Sequence, residues 1–422
     1  MIISVHKINL ESFVKLLSLI SIIIIAYITE NNHIEFFAVT IGIILVVITA
    51  KYSYFSVFSF ILWFSFLQEY FASINRSLSS GRLLWDVNVP VYFKELFICT
   101  AFFFIFEIFI FSVTNVLKNE KDIYRRKIFI NIKWAYVLAI VSLIIIILCY
   151  PTLPKTGMLL ERDNGIISSS LFVPISMFIL GITVDYIKSS LFIKIITVVD
   201  VFWVVMHGDR VIVLGFIVYV LLKYLNNENS NKKAQNKFFN KKLLISLMTV
   251  IAIITIAIKV QYTRAGVDYS YSFTDFIMNI LKQGTAADVV HCFNCATKMW
   301  ISGEGLYGYT YLHYILNLFP KANVSLNPAI ILMKKYNTLG GGLFFSEPMM
   351  NGGLILCVLH SMIFILILTW LFNKKSDYRC LLIIPFIILI FRFAWYSSLA
   401  GIVKMVFYYV PVIYLITKKV RI

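Results

Sequence analysis

The chain reads as an all-α polytopic membrane protein of about twelve transmembrane helices, with one long outer loop of short amphipathic helices. Three observations predict this class. Hydrophobic residues fill 60% of 422 positions and charged residues 14%, against roughly 45–50% and about 25% in a soluble domain. Mean hydropathy is +0.86. Apolar runs recur from end to end, and about 20 helical residues cross a bilayer core of about 30 Å.

The expected spans fall at roughly 12–29, 34–50, 52–70, 91–113, 132–150, 166–184, 191–206, 211–225, 243–259, 351–372, 381–397 and 401–417. They divide the chain into 1–259 with the first nine spans, a polar segment at 260–350, and 351–422 with the rest. The first run, Phe13–Tyr27, is followed by Glu30-Asn-Asn-His33 and no small-residue cleavage site, so it reads as a span and not a signal peptide. Cys99, Cys149, Cys292, Cys295, Cys357 and Cys380 are scattered and suggest no disulfide framework.

Orientation follows from Lys and Arg, which stay in short cytoplasmic loops. With both termini inside, every strongly basic short loop falls on one side. These loops hold Lys118 to Lys127, Lys232 to Lys242, Lys374 to Arg379 and Lys418 to Arg421. The segment 260–350 then faces outward. The net charge of +17 is mainly this orientation signal, with some attraction to anionic membrane lipids. Dispersed cations speak against nucleic acid as a partner.

The polar segment carries helical signals. Phe273, Phe276, Ile277, Ile280 and Leu281 line one face of a short helix. Thr285 with Asp288 opens a second helix to about Ile301, and a third covers Tyr309–Phe319 before Pro320. Amphipathic helices lying on the outer membrane surface are expected. His291, Glu304, His313 and Glu347 are the general-base candidates there. Gly340, Gly341 and Gly342 suit a mobile lid or a close backbone approach. Trp300–Tyr314 is aromatic enough to stack on sugars or to anchor at the interface.

Ionisable residues within spans mark functional sites by default. Glu107 and Asp185 lie in the inner half. Asp200, the turn His207-Gly-Asp-Arg210, Lys259, Arg264, Arg392 and Lys404 lie in the outer half. Arg210, Arg264 and Arg392 at one depth would suit a lipid phosphate or pyrophosphate, because guanidinium presents a planar two-pronged donor. No phosphate-loop motif occurs. Cys292-Phe-Asn-Cys295 is a lone pair and a weak zinc signal. No internal repeat is evident, which argues against a secondary transporter.

Several of these features together resemble the Wzy-type polysaccharide polymerases. They are the many spans, Gly208-Asp-Arg210 before a span, and a long outer segment entered by Arg264. They also include Gly305-Leu-Tyr-Gly-Tyr-Thr-Tyr-Leu312 with Pro320 beyond it, and Gly340-Gly-Gly-Leu-Phe-Phe-Ser-Glu-Pro-Met-Met-Asn-Gly-Gly353. Pro348 directly after Glu347, and Met349-Met350 where the family more often has a Tyr, are departures.

The resemblance implies polymerisation of O-antigen, capsular or exopolysaccharide repeat units at the outer face of a bacterial cytoplasmic membrane. Donor and acceptor would be oligosaccharides linked to undecaprenyl pyrophosphate. The chain-length regulator and flippase of the same pathway would be partners, and no metal or nucleotide cofactor is implied. A ligase of similar architecture and a lipid-linked oligosaccharide flippase are the competing expectations.

Overall fold

The computed structural model describes residues 10–126, 130–152, 165–187, 189–228, 281–316, 326–373, 376–396 and 405–419. Their secondary structure is helical, with a single isolated bridge, Gly342 to Tyr396. The helices are α1 (Leu10–Thr29), α2 (Asn32–Ala50), α3 (Tyr54–Ile74), α4 (Gly81–Trp85), α5 (Phe93–Val113) and α6 (Val116–Arg125). Next come α7 (Ile132–Cys149), α8 (Ser169–Thr183), α9 (Leu191–Met206) and α10 (Arg210–Glu228). Then follow α11 (Gly284–Ile301), α12 (Leu312–Leu316), α13 (Pro328–Tyr336), α14 (Ser346–Asn373), α15 (Asp377–Ile388), α16 (Ile390–Tyr396) and α17 (Val410–Lys419).

Short polar residues start many of these helices by accepting the first free N–H groups. Asn31 accepts from His33 and Ile34 at α2, and Ser53 forms a capping box at α3. Asn131 caps α7, Ser190 caps α9, and Asn327 with Pro328 behind it caps α13.

Seven described helices are long and apolar enough to cross a membrane: α1, α2, α3, α5, α7, α8 with its 3₁₀ extension to Tyr186, and α14. Tyr378–Ile388 and Ile390–Tyr396 make an eighth if read as one broken span. The chain is thus a helical protein with the architecture of a polytopic membrane protein. The expected span at 243–259 lies outside the described residues, as do Arg264, Lys259, Lys404 and the amphipathic stretch at 273–280.

Two compact units form. The first gathers residues 1–123, 273–375 and 390–404. In it α1, α2, α3 and α14 pack on α5, and α11 packs on α3, α4, α13, α14 and α16. Its centre is aromatic: Phe58, Phe103, Phe344 and Phe364 meet with ring centroids 4.9–5.8 Å apart. The second unit gathers 124–272, 376–389 and 405–422. There α7 packs on α8 and α9, and α10 packs on α8, α9 and α15.

The helix expected from Thr285 to Ile301 forms, but not on a surface. Along α11, residues from Ala286 to Met299 are almost all buried. Ala286, Ala287, Cys292, Cys295 and Ala296 are small, so neighbouring backbones come close. Phe293 is fully buried, a contribution of roughly 1.5–3 kcal/mol. Its polar positions face protein partners where solvent was expected. Asn294 Nδ2 donates to Glu69 Oε2 at 3.0 Å, and the Tyr92 N–H donates to Asn294 Oδ1 at 3.2 Å. Nor does Asp288 open its own helix. Gln283 does that by accepting from the Ala286 N–H, while Asp288 Oδ1 accepts the Arg82 N–H of α4 at 2.7 Å.

Candidate functional site

The first unit holds a polar cluster built from two chain segments. One segment runs from Gly305 through a 3₁₀ turn at Tyr309–Tyr311 into α12. The other is the start of α14. That helix is broken at Gly352 and Gly353, where the backbone leaves helical geometry. Gly353 has φ +62, and a Cβ there would lie 2.4 Å from Trp300 Nε1. Only glycine tolerates both the left-handed backbone and that approach. The break leaves Ser346–Asn351 as a short turn whose free carbonyls need donors. Leu306 N–H supplies Met350 O at 2.9 Å, and Asn351 Nδ2 supplies Glu347 O at 2.8 Å.

Glu347 is 2% exposed. The Thr310 hydroxyl donates to its Oε1 at 2.7 Å, and the Tyr314 hydroxyl donates to its Oε2. Asn351 holds the arrangement from behind. Its Nδ2 donates to Thr310 Oγ1 at 2.7 Å, and its Oδ1 accepts the Gly308 N–H at 2.9 Å. Burial, and then the Glu347 carboxyl, push the Tyr311 phenol up from its ordinary value. A carboxyl fixed by two hydroxyl donors is oriented, and it can take a proton through either hydroxyl. Tyr307 and Tyr309, on the same segment, are 76% and 54% exposed.

His291 sits elsewhere on α11. Its Nε2 lies 3.3 Å from Asp86 Oδ2 and 3.5 Å from Cys295 Sγ. Both contacts use one ring nitrogen, so no relay runs from thiol to carboxylate through the ring. Burial lowers the imidazole's affinity for a proton, and Asp86 opposes that. Burial pushes the Cys292 thiol up to about 12 and raises Cys295 as well, which disfavours the reactive thiolate. All six cysteines are buried, and none forms a disulfide. Among the described residues no group of three or more His, Cys, Asp or Glu is placed to hold a metal.

Glu304 pairs with Lys335 at the surface and accepts from Ser302 Oγ at 3.2 Å. Among the described residues, His291 and Glu304 make these contacts away from the Glu347 cluster. The side chain of His313 lies outside the described set. Gly340, Gly341 and Gly342, read as a flexible run, are tied on one side. Gly342 N–H donates to Trp395 O at 3.2 Å and Phe344 N–H to Ala394 O at 2.8 Å. The Gly341 backbone, at φ +98, sits against the Tyr396 ring. The Arg392 guanidinium lies over that ring, 5.5 Å from its centre.

In the second unit Arg210 is the first residue of α10, directly after a tight turn. Gly208 takes φ +84, and the His207 ring stacks on Tyr150 at 4.4 Å. The Tyr150 hydroxyl donates to Asp209 Oδ2 at 3.1 Å. Asp200 is fully buried and accepts from Ser142 Oγ at 2.8 Å.

Thr310, Tyr314 and Asn351 were not among the sequence candidates. Each lies in or beside the two segments quoted above, and their pairing depends on contacts 33 to 43 positions apart along the chain. Asp86 carries no signal in sequence, since it stands alone before a span. No family model, curated protein or solved structure matches the chain.

Proposed function

We propose that this chain is a membrane glycosyltransferase that polymerises oligosaccharide repeat units carried on undecaprenyl pyrophosphate. One observation carries the reading: the segments Gly305–Leu312 and Gly340–Gly353, which bear the resemblance, interlock around Glu347 through Thr310 and Asn351. Two motifs that form one buried polar cluster are more than a cover needs.

In this reaction an acceptor sugar hydroxyl attacks the anomeric carbon of the donor chain. The bond from that carbon to the pyrophosphate oxygen breaks, and the hydroxyl proton passes to Glu347. The pyrophosphate leaves as an anion, and of the three guanidinium candidates Arg392 belongs to the same unit as Glu347; a fixed cation of this kind would supply the main stabilisation. No metal or nucleotide enters this scheme. The polar segment faces outward, and both termini face the cytoplasm. Exposed Tyr307 and Tyr309 offer faces for sugar rings.

The test is the purified protein with lipid-linked repeat units as its only substrate. Ladders of extended product without ATP are expected. In cells, R210A and R264A leave the protein in the membrane but yield single repeat units. Transfer of finished polymer to a terminal acceptor, without ladders, would replace this reading with a ligase. Movement of lipid-linked units across vesicles without extension would replace it with a flippase.

A further inference from the structure

Asp200 lies in the second unit, on a helix that the proposed reaction does not use. The side that α9 buries is Ile193, Ile196, Thr197, Asp200 and Val204, so the carboxyl stands in an almost apolar stripe. Asp200 is fully buried. Its Oδ2 accepts from Ser142 Oγ of α7 at 2.8 Å, and Ser142 Oγ lies 2.7 Å from Ser176 Oγ of α8. Ser176 Oγ is also 3.2 Å from the Ser142 carbonyl oxygen. Both serines are fully buried. Asp200 Oδ1 has no hydrogen-bond partner.

Among the described residues no charge balances this carboxyl, on which burial and the Ser142 hydrogen bond act. The helix α8 carries no ionisable residue. On α7, Tyr136 and Cys149 stand six and seven residues from Ser142, about 9–11 Å along the axis. On α10, Arg210 is the first residue, and Lys223 pairs with Asp185 at 2.7 Å beside the Tyr219 ring. On α9 itself Lys194 is exposed, and His207 just beyond its end contacts the carbonyls of Trp203 and Thr152. A buried carboxylate without a countercharge is costly unless it takes a proton. The contacts at 2.7 and 2.8 Å have hydrogen-bond length and leave no gap for a metal ion between the oxygens.

We propose that Asp200, Ser142 and Ser176 form a proton-binding site between α7, α8 and α9. In the anion, Ser142 donates to Asp200 Oδ2, and Ser176 donates to Ser142 Oγ. When a proton from water bonds to Asp200 Oδ2, the chain reverses. Asp200 then donates to Ser142 Oγ, Ser142 to Ser176 Oγ, and Ser176 to the Ser142 carbonyl. One O–H bond forms and one negative charge disappears. The open Oδ1 becomes an uncharged carbonyl oxygen, which is cheaper to leave without a donor than a charged one. Both states use the same two short contacts, so the proton enters and leaves without repacking the three helices. The site stands whether or not the transferase reading does, because it rests on different residues.

The experiment uses the full chain in nanodiscs of defined lipid, with infrared difference spectra recorded between about pH 5 and pH 10. A protonated carboxyl has its own C=O stretch. In the wild type one such band fades as pH rises, and the isosteric variant D200N lacks it. S142A takes the donor away from the anion, so the midpoint of that band rises by roughly 1–2 pH units. S176A acts one link further out and raises it by less. If D200N fails to fold, the S142A shift alone decides. Wild type and D200N that titrate alike, or a midpoint that S142A leaves in place, overturn the site.

Discussion

The Thr310 hydroxyl donates to Glu347 Oε1 at 2.7 Å across 37 residues of chain. This bond joins the segment around the 3₁₀ turn to the first turn of the broken helix α14. Because Asn351 donates to the same Thr310 oxygen, the three side chains form one directed chain of bonds ending on the carboxyl. Removing the carboxyl's basicity while keeping its shape isolates its chemical role. E347Q is expected to lower extension of lipid-linked units by about 10²–10⁴-fold, the usual contribution of a positioned base. T310S keeps the hydroxyl and stays near wild type, whereas T310V loses it and falls with E347Q. Gel ladders with purified protein read both. Full activity in E347Q would remove Glu347 from the reaction while leaving the fold untouched.

The break in α14 makes a separate prediction about stability. At Gly353 an added Cβ meets both a left-handed backbone and the Trp300 indole. G353A is therefore expected to cost roughly 1–3 kcal/mol or more, read as a lower Tm and a smaller folded yield. At Gly352 the backbone is extended, at φ −168, and the nearest atoms belong to the Leu356 side chain. The nearest of these is the Leu356 Cβ at 2.9 Å, which no rotamer change moves, so G352A also costs stability, but it avoids the left-handed strain added at Gly353. Equal losses at the two positions would refute the role given to Trp300.

His291 predicts how the first unit answers acid. Its folded-state proton affinity lies below the ordinary value, chiefly because it is buried, with Asp86 opposing. A depressed folded value means that the neutral ring contributes stability above the unfolded value, near 6.5. That contribution is lost as pH falls through the lower folded value. Tm should therefore drop on acidification below about pH 6.5, and H291Q should flatten that slope. D86N removes the opposing carboxylate and should deepen the drop and extend it to lower pH, with its onset unchanged. A slope unchanged in H291Q would assign the acid response to other groups.

Of the twelve expected spans, seven, or eight with the broken pair, appear among the described residues as helices long and apolar enough to cross a membrane, and these were legible because apolar length alone encodes them. Expected boundaries such as 34–50 and 132–150 lie within two residues of α2 and α7. The helix Gly284–Ile301 was legible as a helix but not as a buried one. Its Asp288, His291 and Asn294 look solvent-facing in a helical pattern, and their partners Arg82, Asp86 and Glu69 lie about two hundred residues away in the chain. Glu347 was a candidate because it stood in a glycine-flanked motif. Thr310 and Asn351 were not, because their role comes from meeting each other, and no local spacing encodes that.

Asp185 and Lys223 in the second unit supply the sharpest energetic test. Their side chains are 10% and 5% exposed, and Lys223 Nζ lies 2.7 Å from Asp185 Oδ2. The Tyr219 ring adds a face 5.9 Å from the ammonium. Two charges removed from water are costly together, but one left alone is costlier. K223M removes the ammonium from a nearly buried carboxylate and D185N removes the carboxylate from a buried ammonium, so each is expected to lose about 3–5 kcal/mol. The double change D185L with K223M removes both desolvation penalties and should recover most of that loss. A double-mutant cycle on Tm in one detergent isolates the coupling. Single changes near wild type, with no coupling, would show that water reaches the pair and that its burial contributes little.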